Sequence, residues 1–349
     1  MNPWAFKRLN EVAATTFYNE AEYYTWHDMR VLAVDGTRLV LPNHPSVIEE
    51  FGQQQFGPKA DSPRSLAMAS MLYDVLNQIT LDSQLAPYAS SERDLLMQHL
   101  DKLKSGDLLL LDRGYPCFWL LFLLKAKGIE FCVRLKDDWW LKVKDFAESD
   151  EKERIVTFAL PKKDRGKLSD FPDMQDATIT CRLVKVELSN GEKEILCTSL
   201  LDSEKYLHHE IDKLYHYRWS EEEAYKLLKC RIELENFSGK TALAVRQDFH
   251  AKILLMTLCA AYAHPIEDKV LAEYKADQNR KFNQKINRTN ALSMTQDILI
   301  TVFLRKQFEK ALNAFDKIVE HTREIIRPGR SNPRKKKPKQ LYSMNYKRL

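Results

Sequence analysis

The chain has 349 residues, of which 44% are hydrophobic and 30% charged, an ordinary balance for a globular protein and enough for one large domain or two to three smaller ones. Its longest apolar runs, LLLL at 108–111 and FWLLFLL at 118–124, fall far short of the roughly 20 residues of a membrane helix, and the N-terminus MNPWAFKRLNEV lacks the apolar core of a signal peptide, so a cytoplasmic protein is expected. The net charge of +5 resides in a tail: from Arg327 onward there are nine Lys or Arg and no acid, which leaves residues 1–326 at −4.

In chain order, residues 1–24 carry Phe6, Leu9, Val12 and Phe17 at helical spacing and predict a helix. The segment MRVLAVDGTRLVLPN predicts two strands joined by a tight turn at Gly36. Residues 66–88 suit one or two further strands on the strength of Val75, Ile79 and Thr80, with a helix as the competitor. SSERDLLMQHLDKLKSGD reads as a helix opened by serine and closed at Gly106. DLLLLDRGYP is a short buried strand that stops at Asp112, because Gly114 and Pro116 cannot continue it. A helix ending at Gly128 and the strand EFCVRLK follow. WWLKVKDF, RIVTFAL, TITCRLVKVEL and KEILCTSLL alternate or run apolar between turn-rich connectors, which predicts a β-rich insert. One long helix over 203–236, another over 240–264, and less regular helical sequence to 326 complete the body. The six cysteines form no CxxC pair, which excludes zinc-ribbon and thioredoxin-like sites.

Asp35 follows an apolar strand, and Asp112 follows four leucines. A carboxylate there is desolvated on one side and open on the other, a costly arrangement unless a cation neutralises it. A divalent metal does so through oxygen ligands, whereas the alternative is a turn-initiating Asp before glycine. In LYHYRWSEEEAYKLLK, Tyr215, Arg218, Glu222 and Lys229 stand at offsets of 0, 3, 7 and 14. On a continuous helix they fall at about 0°, −60°, −20° and −40°, while Glu221 and Glu223 fall off that face at about −120° and +80°. One face thus carries an acid between two cations and a phenol, as a metal ligand beside phosphate-binding groups would, or as an ordinary solvated charged face would.

VDGTRLVLP, LLLLDRGYPCFWLLFLLKAKGIEFCVRLK, CTSLLDSEKY and LYHYRWSEEEAYKLLK together resemble the insertion-sequence-four family of DDE transposases, and the likeness extends to the terminal RPGRSNPRKKKPK and MNYKR. The family's Y-x2-R-x3-E-x6-K signature matches Tyr215, Arg218, Glu222 and Lys229 without a gap. The resemblance implies an α/β, ribonuclease-H-like mixed sheet flanked by helices, interrupted by a β-rich insertion before the last catalytic helix. On that reading, residues 1–24 are the remnant of an N-terminal helical region, 25–136 and 201–264 the two parts of the core, 137–200 the insertion, 265–326 a C-terminal helical region and 327–349 a basic tail. It further implies two magnesium ions, replaceable by manganese, on Asp35, Asp112 and Glu222, and contacts from Tyr215, Arg218 and Lys229 to phosphates of double-stranded DNA at transposon ends and target.

Phosphodiester cleavage needs an activated water and a stabilised leaving oxygen, and two ions about 4 Å apart serve both sides of an in-line displacement. Trp139 or Trp140 could stack on an unpaired base, as insert tryptophans of relatives do, or pack in a sheet core. In the tail, Arg334, Lys335, Lys336 and Lys337 suit a phosphate backbone. A homodimer on DNA is expected, since two ends must be held together. Relatives usually carry a further helical region before the first aspartate, whereas 34 residues precede Asp35 here, which points to N-terminal truncation. Two alternatives remain open at this point: a catalytically inactive DNA-binding remnant, and a ribonuclease-H-like nuclease that does not transpose.

Overall fold

A computed structural model describes residues 2–55, 63–174, 176–188, 191–276 and 282–326. Arg334, Lys335, Lys336 and Lys337, with the rest of the expected basic tail, lie outside the described residues.

Helix α1 (Pro3–Glu20) is capped by Asn2, whose Oδ1 accepts the Trp4 N–H at 3.1 Å, and has Pro3 at its first position. Strand β1 (Val31–Val40) is a single ten-residue strand, not the expected pair. Gly36 does not take a left-handed conformation, and the chain runs straight through Asp35. After α2 (Pro45–Phe51), the strands β2 (Leu66–Asp74) and β3 (Ile79–Pro87) settle the competition over 66–88, because β2 is buried at every position and no helical face alternates. Their connection is an Asx turn in which Asp74 Oδ1 accepts the N–H of Leu76 and Asn77 at 3.0 and 2.9 Å.

Helix α3 (Glu92–His99) is capped by Ser91, whose hydroxyl accepts the Asp94 N–H at 3.1 Å. Strand β4 (Leu108–Leu111), α4 (Phe118–Ala126) and β5 (Glu130–Leu135) follow as expected. WWLKVKDF departs from its strand reading: it contributes α5 (Leu141–Glu148), whose buried Val143 and Phe146 share a helical face at i, i+3. The remainder of the insert does form strands, β6 (Glu153–Ala159), β7 (Thr178–Glu187) and β8 (Lys193–Thr198).

The expected long helix over 203–236 is two helices, α6 (His208–His216) and α7 (Trp219–Cys230). Between them, the N–H groups of Tyr217, Arg218, Ser220 and Glu221 each reach back three residues, to Leu214, Tyr215, Tyr217 and Arg218. Such i→i+3 bonds tighten the turn. The chain ends with α8 (Ala242–Ala276), β9 (Gln284–Ile286), α9 (Arg288–Arg305), α10 (Phe308–His321) and β10 (Arg323–Ile325).

The chain forms two compact units. The first, residues 23–38 and 68–224, is built on an eight-stranded sheet in the order β3-β2-β1-β4-β5-β8-β7-β6. The eight strands thus make one mixed sheet, with the parallel β1, β4 and β5 in its middle. Strand β4 runs parallel to β1 and β5, whereas β8, β7 and β6 continue antiparallel from β5. The insert therefore extends the same sheet. Four consecutive leucines in β4, all buried, suit a central strand covered on both faces.

Two buried polar pins fix the strands that carry the site. Arg30 and Asp107 form a two-point pair (2.8 and 2.6 Å) that ties the start of β1 to the start of β4. His99 at the end of α3 bonds Asp82 of β3 at 2.8 Å and Ser70 of β2 at 3.0 Å, which locks α3 onto the sheet. A Ser, His and Asp in line resemble a hydrolytic triad, but all three are buried, so they act here as a clamp.

The second unit, residues 1–22, 39–67 and 225–349, is mainly helical among its described residues. Helices α1, α2, α9 and α10 pack on α8, and β9 pairs antiparallel with β10. His264 of α8 bonds the Glu22 carbonyl at 2.7 Å and meets Phe17 edge to face at 5.0 Å, which seats α1. Among the described residues no helix is long and apolar enough to cross a membrane.

Candidate active site

Strand register brings the two aspartates together. Parallel pairing of β1 with β4 runs from Val31↔Leu108 to Ala33↔Leu110. Carried two residues further, it sets Asp35 opposite Asp112, on strands about 4.8 Å apart. Pairing of β4 with β5 ends at Leu111↔Val133, so the next position across from Asp112 is Arg134. One row of the sheet thus reads Asp35, Asp112, Arg134.

Arg134 Nε and Nη2 hold Asp112 Oδ1 at 2.8 and 2.7 Å, and Arg134 also pairs with Glu194. Asp112 Oδ1 accepts the Arg113 N–H at 2.7 Å as well. Asp35 Oδ1 accepts the Gly36 N–H at 2.8 Å, and its Oδ2 stands 3.9 Å from Arg218 Nη1. Burial lifts the Asp35 carboxyl to about 6, opposed by the Gly36 N–H and Arg218 and reinforced by the charges of Glu92 and Glu222.

The third acid arrives from the turn between α6 and α7. Arg218 is 2% exposed; its Nη2 donates to Glu222 Oε1 at 3.0 Å while its Nη1 faces Asp35. One guanidinium therefore links the first and third acids of the expected triad, and Asp112 is among the charges that hold it protonated. Tyr215 is buried and donates a long bond, 3.4 Å, to the Leu111 carbonyl just before Asp112; burial pushes its phenol up. Lys229 lies two turns beyond Glu222 on α7, half-buried, with its ammonium pulled down by burial.

The helical-face reading of the signature meets a correction. It presumes one uninterrupted helix from 215 to 229, which puts Glu221 off the face. Four i→i+3 bonds between α6 and α7 tighten the turn there, so the two helices do not share one continuous α-helical phase. Glu221 is accordingly turned inward and fully buried: its Oε1 accepts the Asp35 N–H at 2.9 Å, and its Oε2 has no partner. Burial and the Asp35 charge push its carboxyl well up. Glu222 remains beside Arg218, about one-third exposed.

Sequence reasoning also missed two other groups. Glu92 opens α3, and a Cβ added to Gly36 would lie 2.9 Å from its Oε1. Tyr115 is 1% exposed with its hydroxyl unpartnered, and its phenol is pushed up by burial and by the charges of Asp35, Glu92, Glu221 and Asp112. The serine cap before Glu92 is visible in the sequence; which sheet face α3 covers is not.

Trp139 and Trp140 stand outside the insert's strands, in the segment before α5. Trp140 stacks on Phe118 at 4.2 Å and on Trp139 at 5.6 Å, so Trp139 is the outer, solvent-facing ring.

As the side chains stand, no three acid, histidine or cysteine groups among the described residues are placed to hold a metal ion. Arg218 and Arg134 hold the counter-charge positions. The donor set itself fits a hard dication: clustered carboxylates, one of them desolvated, with the unpartnered Glu221 Oε2 and Tyr115 hydroxyl among them.

Residues 26–258 match the Transposase DDE domain family. Over 260 residues, 73% of this chain, the sequence is 23% identical to the Escherichia coli (strain K12) transposase InsG for insertion sequence element IS4. Over 125 residues, 36% of this chain, it is 24% identical to the putative transposase InsZ of the same organism. The aligned parts span 57% and 41% of those relatives' lengths. A cryo-EM structure of the piggyBac transposase synaptic complex with hairpin DNA superposes with a TM-score of 0.47 at 10% identity, covering 87% of this chain and 59% of that one. With the match covering two-thirds of its length, the chain belongs to the Transposase DDE domain family, whose members are metal-dependent polynucleotidyl transferases.

Proposed function

We propose that this chain is the catalytic part of a bacterial cut-and-paste DNA transposase, in which Asp35, Asp112 and Glu222 hold two magnesium ions. The observation that carries the reading is the β1–β4 register, which extended by two residues faces Asp35 with Asp112, together with Arg218 between Asp35 and Glu222. When bound, the ions supply activation of the attacking oxygen and stabilisation of the leaving one, first with water and then with a DNA 3′-hydroxyl.

The protein's own groups do the placing. Glu221 fixes the Asp35 backbone and Tyr215 braces the strand end before Asp112, so both carboxylates project from a rigid edge. Arg218 and Arg134 neutralise the acids in the cation-free protein, and a guanidinium released from a carboxylate is free to take a phosphate. Lys229 adds a further cation for the DNA backbone. Trp139 offers an open ring face for an unpaired base, with Trp140 and Phe118 stacked behind it. Two copies hold the two transposon ends.

Purified protein with magnesium is expected to nick duplexes carrying the element's terminal inverted repeats and then join the freed 3′-hydroxyl to a second duplex. Glu222→Gln and Asp35→Asn should each abolish both steps; nicking that survives Glu222→Gln overturns the assignment. One observation favours a second reading, an inactive DNA-binding remnant: both counter-charge positions are already taken by arginines. That reading requires salt-sensitive DNA binding with no cleavage under magnesium or manganese.

A further inference from the structure

We propose that Glu92 is a fourth carboxylate ligand of the catalytic cation site, an inference that rests on the two-ion reading above. Glu92 comes from a different element than the triad, the first turn of α3. Its carboxylate is wedged between the two segments that follow the aspartates. A Cβ added to Gly36 would lie 2.9 Å from Glu92 Oε1, and one added to Gly114 would lie 3.3 Å from its Oε2. A side chain at 36 would force that carboxylate to shift, and one at 114 would press it by a few tenths of an ångström. The two glycines after Asp35 and Asp112 thus form a slot that a carboxylate fills.

The placement is held from both sides. His99, at the other end of α3, is clamped to Asp82 and Ser70. Next to Glu92, Arg93 donates from Nε to the Tyr115 carbonyl at 2.9 Å and from Nη2 to the Gly114 carbonyl at 3.0 Å, binding the start of α3 to the Asp112 loop. Arg93 is thereby engaged by the backbone. Like charges pressed together at a rigid edge are costly without a cation among them. Independently, the Tyr115 hydroxyl and Glu221 Oε2, both buried to more than nine-tenths, lack partners in this same cluster. Unsatisfied oxygens beside carboxylates are what a hard dication and its waters complete.

Mn2+ binding to the full chain without DNA, read by the loss of free-ion electron paramagnetic resonance signal, tests the assignment, with thermal melts in EDTA as the fold control. Glu92→Gln should weaken Mn2+ binding by more than the roughly 10–100-fold that outer-sphere partners cost, and should melt no lower than the parent, since a like charge is removed. Glu92→Asp, which withdraws the charge from the slot without deleting it, should fall between. If Glu92→Gln binds Mn2+ like the parent while Asp35→Asn does not, Glu92 is not a ligand and the two-ion site stands without it. If Asp35→Asn also binds like the parent, the two-ion reading fails and Glu92 with it.

Discussion

Asp35 couples the state of the site to pH. Its carboxyl is lifted from 3.8 to about 6, so the protonated form is favoured by folding. The associated stability is complete below about pH 4 and is lost as pH rises through 6, by about 3 kcal/mol at most. Metal-free protein should therefore melt progressively lower between pH 4 and 7; Asp35→Asn should flatten that slope, and millimolar magnesium should raise the melting temperature of the parent but not of the variant. Differential scanning calorimetry in EDTA and in magnesium checks all three. Gly36 makes a second, independent case. The atom nearest an added methyl is the end of the flexible Glu92 side chain, so Gly36→Ala should cost under about 1 kcal/mol yet displace that carboxylate. Its Mn2+ affinity should drop like that of Glu92→Gln, and the two changes combined should be no worse than either.

Arg30 and Asp107 tie β1 to β4 at the start of their shared register. Asp107→Ala leaves a buried guanidinium uncompensated and should cost about 3–5 kcal/mol in urea unfolding; a loss under about 1 kcal/mol would show the register is set elsewhere. Much of this layer was legible in the sequence. Four leucines between polar residues announce a central strand, and an acid at its end nominates a site, with a turn-initiating aspartate as the alternative. What stayed hidden was non-local. Where β1 continues through Gly36, Glu221 captures the Asp35 amide across 186 positions. The phase slip at Tyr217 and Arg218 depends on hydrogen bonds that no spacing rule encodes, and it moves Glu221 from an apparent bystander to the most buried acid of the site. Arg134 was readable only once β5 was known to lie beside β4.

For the chain taken together, charge is segregated, with nine cations and no acid after residue 326. Removing residues 327–349 should leave the melting temperature within a few degrees while lowering affinity for random duplex DNA. The log–log salt slope of that binding should flatten by about 0.9 for each phosphate that the tail no longer neutralises. Fluorescence anisotropy across a salt titration checks this; an unchanged slope would place the DNA-binding cations in the body. The insert has a different bearing on the whole. Since β8 lies against β5 and carries β7 and β6 outward with it, residues 137–200 are not a detachable module grafted onto a finished core. Cutting them away would strip β5 of its neighbour along Cys132–Leu135 and leave a bare, greasy ladder of amides, an adhesive rim through which copies would zip into aggregates before any chemistry could be assayed.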